Sequence, residues 1–161
     1  MINKIIAIQG DHPSILNPLT DTSIFLANEI QKKKYKIFYY EPKNLSIINF
    51  KVIASGSFIR FNYSKKKFFK ILKKTKIDLT NCKFLLIRQD PPFNLQYITT
   101  SYILDIIKNK VKIINNPTSI RNISEKYILF NVLNILRLII FICYMQYKLY
   151  FQWNIIRNSS F

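Results

Sequence analysis

Residues 88–93, RQDPPF, set an arginine and an acid two positions apart and follow them with two prolines. Arginine can grip a carboxylate through two parallel hydrogen bonds, and aspartate can hold an amine. The prolines fix the backbone and remove two N–H donors. They also turn the preceding residue away from a helical path. Arg88 and Asp90 therefore stand on a rigid platform at the end of the apolar run FLLI, residues 84–87. Two other polar segments carry similar chemistry. QGDHPS (9–14) offers Asp11 and His12, and NNPTSIRN (115–122) offers Asn115, Asn116 and Arg121. Together these groups are an inventory for gripping a zwitterionic, peptide-like molecule. Plainer uses stand beside that one. Asp90 can cap a turn with Arg88 as its salt-bridge partner, and His12 fits a turn residue better than a base. His12 has no Cys or Glu nearby, so no metal site is expected. No nucleophile–base arrangement stands out. With only Gly10 and Gly56 in the chain, a glycine-rich phosphate loop is excluded.

The elements that would position these loops follow from the apolar pattern. NKIIAIQG reads as a strand over 3–9 that exits at Gly10. TDTSIFLANEIQKKK reads as a helix, capped by Thr20 or Asp21, with Ile24, Ala27 and Ile30 as its apolar stripe. YKIFYY (35–40) is a second strand. Residues 44–61 look extended, a hairpin-like excursion with a weakly signalled turn near Asn49. The lysine-rich stretch 63–76 reads as an amphipathic surface helix with Phe68, Phe69, Ile71 and Leu72 on one side. KFLLIRQ (83–89) is a strand apolar on both faces, as parallel strands are. A helix follows over 95–110, with Ile98, Tyr102 and Ile106 aligned, and then a strand at 111–116. Strands alternating with helices imply an α/β fold, a parallel sheet with helices on both faces. Ligands of such sheets bind beyond the C-terminal strand ends, where all three polar loops should open.

The 161-residue chain has a net charge of +17, which would ordinarily suggest nucleic acid or an anionic membrane. The residue types argue otherwise. Twenty of the 25 basic residues are lysines, dispersed among Ile, Asn, Phe and Tyr, a combination that AT-rich codons produce together. No nucleic-acid partner is expected. Two cysteines, Cys82 and Cys143, have neither metal spacing nor the density of a disulfide framework. The start, MINKIIAIQGDHPS, lacks the apolar length of a signal peptide, so a cytoplasmic protein is expected.

The ordered series LLIRQDPPFNLQYITTSYILD and then IINNPTSIRNISEKYILF resembles the N-terminal portion of prokaryotic glutathione synthetase. The family pattern is an R-x-D-P-P-F loop, an aromatic-rich helix, an N-x-P-x-S-[IL]-R segment and N-x-x-E-K. Here these are Arg88, Asp90, Pro91, Pro92 and Phe93; Asn115, Pro117, Ser119, Ile120 and Arg121; and Glu125 with Lys126. TDTS at 20–23 resembles the opening of the family's first helix, and Ile123 departs from the pattern. The resemblance implies a Rossmann-like, pre-ATP-grasp α/β module over 1–122 and the start of an ATP-grasp domain over 123–132. It implies a ligase that joins γ-glutamylcysteine to glycine with ATP and Mg²⁺, through an acyl phosphate. On the same grounds Arg88 and Asp90 are substrate-binding residues, and Lys126 matches a lysine that contacts nucleotide phosphates. The reading admits a homo-oligomer.

Residues 133–161 form an apolar tail that matches nothing in the family. Nothing acidic follows Glu125 and no glycine follows Gly56, so the expectation is a chain truncated or frameshifted after about residue 132 and inactive alone. The run Leu138–Met145 is short of the roughly 20 residues a spanning helix needs, so a membrane role is not expected. The reading from a different class is a non-catalytic, Rossmann-like module for peptides or carboxylates, membrane-associated through the tail.

Overall fold

The computed structural model describes residues 4–62, 67–90, 92–122 and 133–137. Contacts divide the chain into two compact units, the first ending at Arg121 and the second beginning at Asn122. In the second unit the described residues 133–137 are helical, with Leu133, Ile135 and Leu136 exposed. The rest of the tail lies outside the described residues, as do Cys143 and Lys126. Among the described residues no helix is long and apolar enough to cross a membrane.

The first unit is built on a seven-stranded sheet with the path β3-β4-β2-β1-β6-β7, and β5 pairs with β4. The strands are β1 (Ile5–Gly10), β2 (Lys36–Tyr40), β3 (Leu45–Ile48), β4 (Lys51–Phe61), β5 (Phe69–Asp78), β6 (Phe84–Arg88) and β7 (Lys112–Ile114). The helices are α1 (Thr22–Lys32), α2 (Leu95–Asp105) and the short α3 (Pro117–Asn122). The β2-β1-β6-β7 segment is parallel throughout. Side-chain parity distributes its residues between two cores. Ile6, Ile8, Ile37, Tyr39 and Leu86 pack on one face with Ile24 and Ala27 of α1. Ala7, Phe38, Tyr40, Leu85 and Ile87 pack on the other with Leu104 of α2 and with Ile107. The α/β architecture with helices on both faces is thus present.

The β3-β4-β5 region is antiparallel and differs from the sequence reading in one element. The stretch read as a surface helix at 63–76 is largely β5, paired with β4 from Ile53↔Asp78 to Phe61↔Phe69. Lysine spacing suggested a helical polar face, but β4 offers a free edge, and a ladder of backbone hydrogen bonds outweighs weak helix propensity. The turn at Asn49 is real. Asn49 and Phe50 both have positive φ, 49° and 59°, and join Ile48 to Lys51 in a two-residue hairpin of the primed type. That turn prefers glycine second, so Phe50 concealed the signal. The α2 stripe also differs. Tyr102 and Ile106 are exposed, and the helix buries Thr100, Ser101 and Leu104 instead.

The two sheet regions are joined tightly. Gln31 of α1 mimics a neighbouring strand: its Nε2 donates to the Phe61 carbonyl and its Oε1 accepts from the Phe61 N–H, each at 2.8 Å. Gly56 of β4 lies so close to β2 that a Cβ there would stand 2.3 Å from the Tyr39 carbonyl oxygen. Only glycine permits that approach.

Candidate functional site

Because β1, β6 and β7 run parallel, the loops that leave them open on the same sheet edge. Parity then decides which helix each residue meets. Leu86 belongs to the α1 face, so Arg88, two positions on, belongs there too. Its Nε donates to Ser23 Oγ at 3.2 Å, and its Nη2 donates to Thr22 Oγ1. Both hydroxyls lie in the first turn of α1, where Asp21 caps the helix by accepting from the Ser23 N–H at 2.7 Å. The Arg88–Asp90 salt bridge considered from the sequence is not formed. The ion pairs found among the described residues involve neither side chain. Arg88 is held by neutral oxygens, among the described residues it forms no ion pair with a carboxylate, and the positive end of α1 adds to the local potential.

Asp90 is exposed, and its N–H donates to Asp11 Oδ2 at 3.2 Å, which ties the first polar loop to the second. Below them Gly10 pairs in register with Arg88. A Cβ on Gly10 would come within 2.4 Å of the Tyr39 hydroxyl, which donates to the Asp11 carbonyl at 2.7 Å. Burial, reinforced by the carboxylates of Asp11, Asp21, Glu41 and Asp90, pushes the Tyr39 phenol far above its ordinary range. It therefore stays a neutral donor and fixes the loop. On the opposite face Gln9, 1% exposed, donates from Nε2 to Gln89 Oε1 at 3.2 Å. Parity along IIAIQG and FLLIRQ was the available signal for this pair, because Gln9 follows Ala7 and Gln89 follows Ile87 on one face.

The remaining sequence-derived candidates have internal duties. His12 Nδ1 accepts the Ser14 N–H at 3.2 Å and caps a short 3-10 turn, so His12 is a turn residue. Asn115 donates to the Ile87 carbonyl at 3.0 Å, which joins β7's exit to β6. Asn116 Oδ1 accepts from the N–H groups of Thr118 and Ser119. Arg121 turns back: it pairs with Asp105 and lies 4.1 Å from the Tyr102 ring centroid. Partial burial would raise the Asp105 carboxyl, but hydrogen bonds from Arg121, Thr118 and Lys108 outweigh it and hold the group below its usual range. The third loop thus contributes a brace, while the first and second bring Asp11, Arg88 and Asp90 to the sheet edge. Among the described residues no group of three or more His, Cys, Asp or Glu could hold a metal ion.

A family model for the prokaryotic glutathione synthetase N-terminal domain matches residues 5–121. A glutathione synthetase of Mesorhizobium japonicum is 37% identical over 121 residues, covering 75% of this chain and 39% of that protein. One from Agrobacterium fabrum is 33% identical over 123 residues, covering 76% and 39%. One from Buchnera aphidicola subsp. Schizaphis graminum is 33% identical over 125 residues, covering 77% and 39%. The chain thus spans about two fifths of the length of these curated relatives. With the parallel sheet, the two-faced core and the RQDPPF strand end in the matched segment, this chain belongs to the prokaryotic glutathione synthetase family, and residues 5–121 are its N-terminal domain.

Proposed function

We propose that this domain serves glutathione synthesis as the substrate-side module of a ligase. That ligase joins γ-glutamylcysteine to glycine at the expense of ATP, through an acyl phosphate. The role of Arg88 carries the reading. A guanidinium at a strand end, oriented by two hydroxyls and opposed by no carboxylate among the described residues, is ready to receive one from a ligand. γ-Glutamylcysteine carries carboxylates and one amine. Arg88 would take a carboxylate, and Asp90 beside Asp11 would provide negative charge for the amine. Thr22 and Ser23 set the plane of the guanidinium before the ligand arrives, which lowers the entropy lost on binding. A domain that binds and orients substrate in this way contributes to catalysis through positioning.

ATP and Mg²⁺ are part of the proposed reaction. Lys126 is the proposed contact to nucleotide phosphate and lies outside the described residues. The test is kinetic. In a full-length synthetase carrying this domain, Arg88→Ala should cost about 2–5 kcal/mol in kcat/KM for γ-glutamylcysteine if it grips a buried carboxylate. The fold should persist. A lowered melting temperature with unchanged kinetics would make Arg88 a strut for α1 and remove it from the substrate site.

A further inference from the structure

The antiparallel hairpin carries a cleft with polar groups in its wall that the substrate reading does not use. It has a volume of about 510 Å³, and its walls include His12, Tyr39, Ser55, Ser57, Lys74 and Lys76. Registration explains why four of these converge. Ser55 pairs with Lys76 and Ser57 with Lys74 across β4 and β5, so all four side chains share one face of the sheet. It is the α1 face, since Ile59 of β4 has the same parity and packs in that core.

Among the described residues none of the four side chains has a polar partner. Among the described residues the ion pairs include neither lysine, and the Ser55 and Ser57 hydroxyls make no side-chain hydrogen bond. Lys74 and Lys76 leave the backbone about 7 Å apart on one strand face, and their like charges repel each other. A multivalent anion between them would relieve that repulsion. The nearest acid in the wall, Glu41, already pairs with Lys43 at 2.9 Å. His12 adds a further donor. Its Nδ1 accepts the Ser14 N–H, which leaves Nε2 for a ligand.

From this geometry we infer a second ligand site, in which Lys74, Lys76, Ser55 and Ser57 hold the phosphate group of a small phosphorylated molecule. Two cations and two hydroxyls match a tetrahedral oxyanion better than a carboxylate, which presents only two oxygens. The cleft also exceeds what a bare phosphate fills and suits a phosphate ester of drug-like size. The site is distinct from Arg88, whose donors go to α1.

The test is an NMR titration of the 161-residue chain in 0.15 M-range salt, about physiological, with inorganic phosphate and, separately, AMP. Both should shift the amides of residues 55–57 and 74–76 saturably, AMP at lower concentration. Lys74→Ala/Lys76→Ala should weaken binding tenfold or more, and Ser57→Ala should weaken it less. Lys70→Ala/Lys73→Ala removes the same charge from the opposite sheet face, where Lys73 pairs with Phe58 and Lys70 with Arg60. It should leave binding unchanged. Equal weakening by both double variants would overturn the site in favour of diffuse attraction. So would shifts spread over the whole surface, or tighter binding of an oligonucleotide that AMP does not displace.

Discussion

The parallel and antiparallel regions of this sheet solve different problems. Strands β1, β2 and β6 are covered on both faces, and most of their residues are buried. Strand β5 is an edge, and most of its residues, including Lys70, Lys73, Lys74 and Lys76, are exposed. The first region fixes where the loops with Asp11, Arg88 and Asp90 stand. The second depends on ladder hydrogen bonds and on close approach at Gly56. Edge lysines also discourage pairing with other chains. Rigid positioning and polar display are thus allotted to separate parts of one sheet.

Paired truncations should break the comparison most visibly. Leu85 is 0% exposed between α2 and the sheet, and Leu72 is 53% exposed on β5. Leu85→Ala should cost about 2–5 kcal/mol of stability, and Leu72→Ala should stay within about 0.5 kcal/mol. Urea denaturation of both variants measures the difference, and equal losses would mean that the edge strand is as much a core element as β6.

At Gly56 the two regions meet. Gly56→Ala forces a methyl group against the Tyr39 carbonyl, and such overpacking costs about 1–3 kcal/mol. An unchanged denaturation midpoint would show that β4 can retreat from β2 freely.

A smaller effect of opposite sign should appear at the hairpin turn. Phe50 is 99% exposed with φ of 59°, so it gives up little packing and bears a left-handed backbone. Phe50→Gly should gain about 0.5–1 kcal/mol in thermal melting. A loss would assign Phe50 a contact that outweighs its backbone strain.

The same contrast governs what the sequence revealed. In the parallel region, apolar runs such as FLLI and alternating helices left little choice, and the positions of the loops followed from strand direction. In the antiparallel region each local signal was weak. Phe50 occupied the glycine position of the turn, and the lysines of β5 copied a helical polar face while the deciding partner, the β4 edge, lay elsewhere in the chain. At the site, Arg88 was legible as a candidate. Its partners Thr22 and Ser23 were not, because they are 66 and 65 positions away and only the packing of α1 brings them near. Arg121 read as a ligand group because its partner Asp105 sits on the preceding helix, 16 positions earlier.

The central claim is that Arg88 is a pre-oriented, unopposed cation for a substrate carboxylate. Titration of the ¹⁵N-labelled chain with γ-glutamylcysteine tests it most directly, read at the Arg88 Nε–H and at the backbone amides of Gln89, Asp90 and Asp11. The account predicts saturable shifts at these groups that disappear in Arg88→Ala while the rest of the spectrum stays folded. Undisturbed resonances at saturating peptide, or the same shifts in Arg88→Ala, would contradict it.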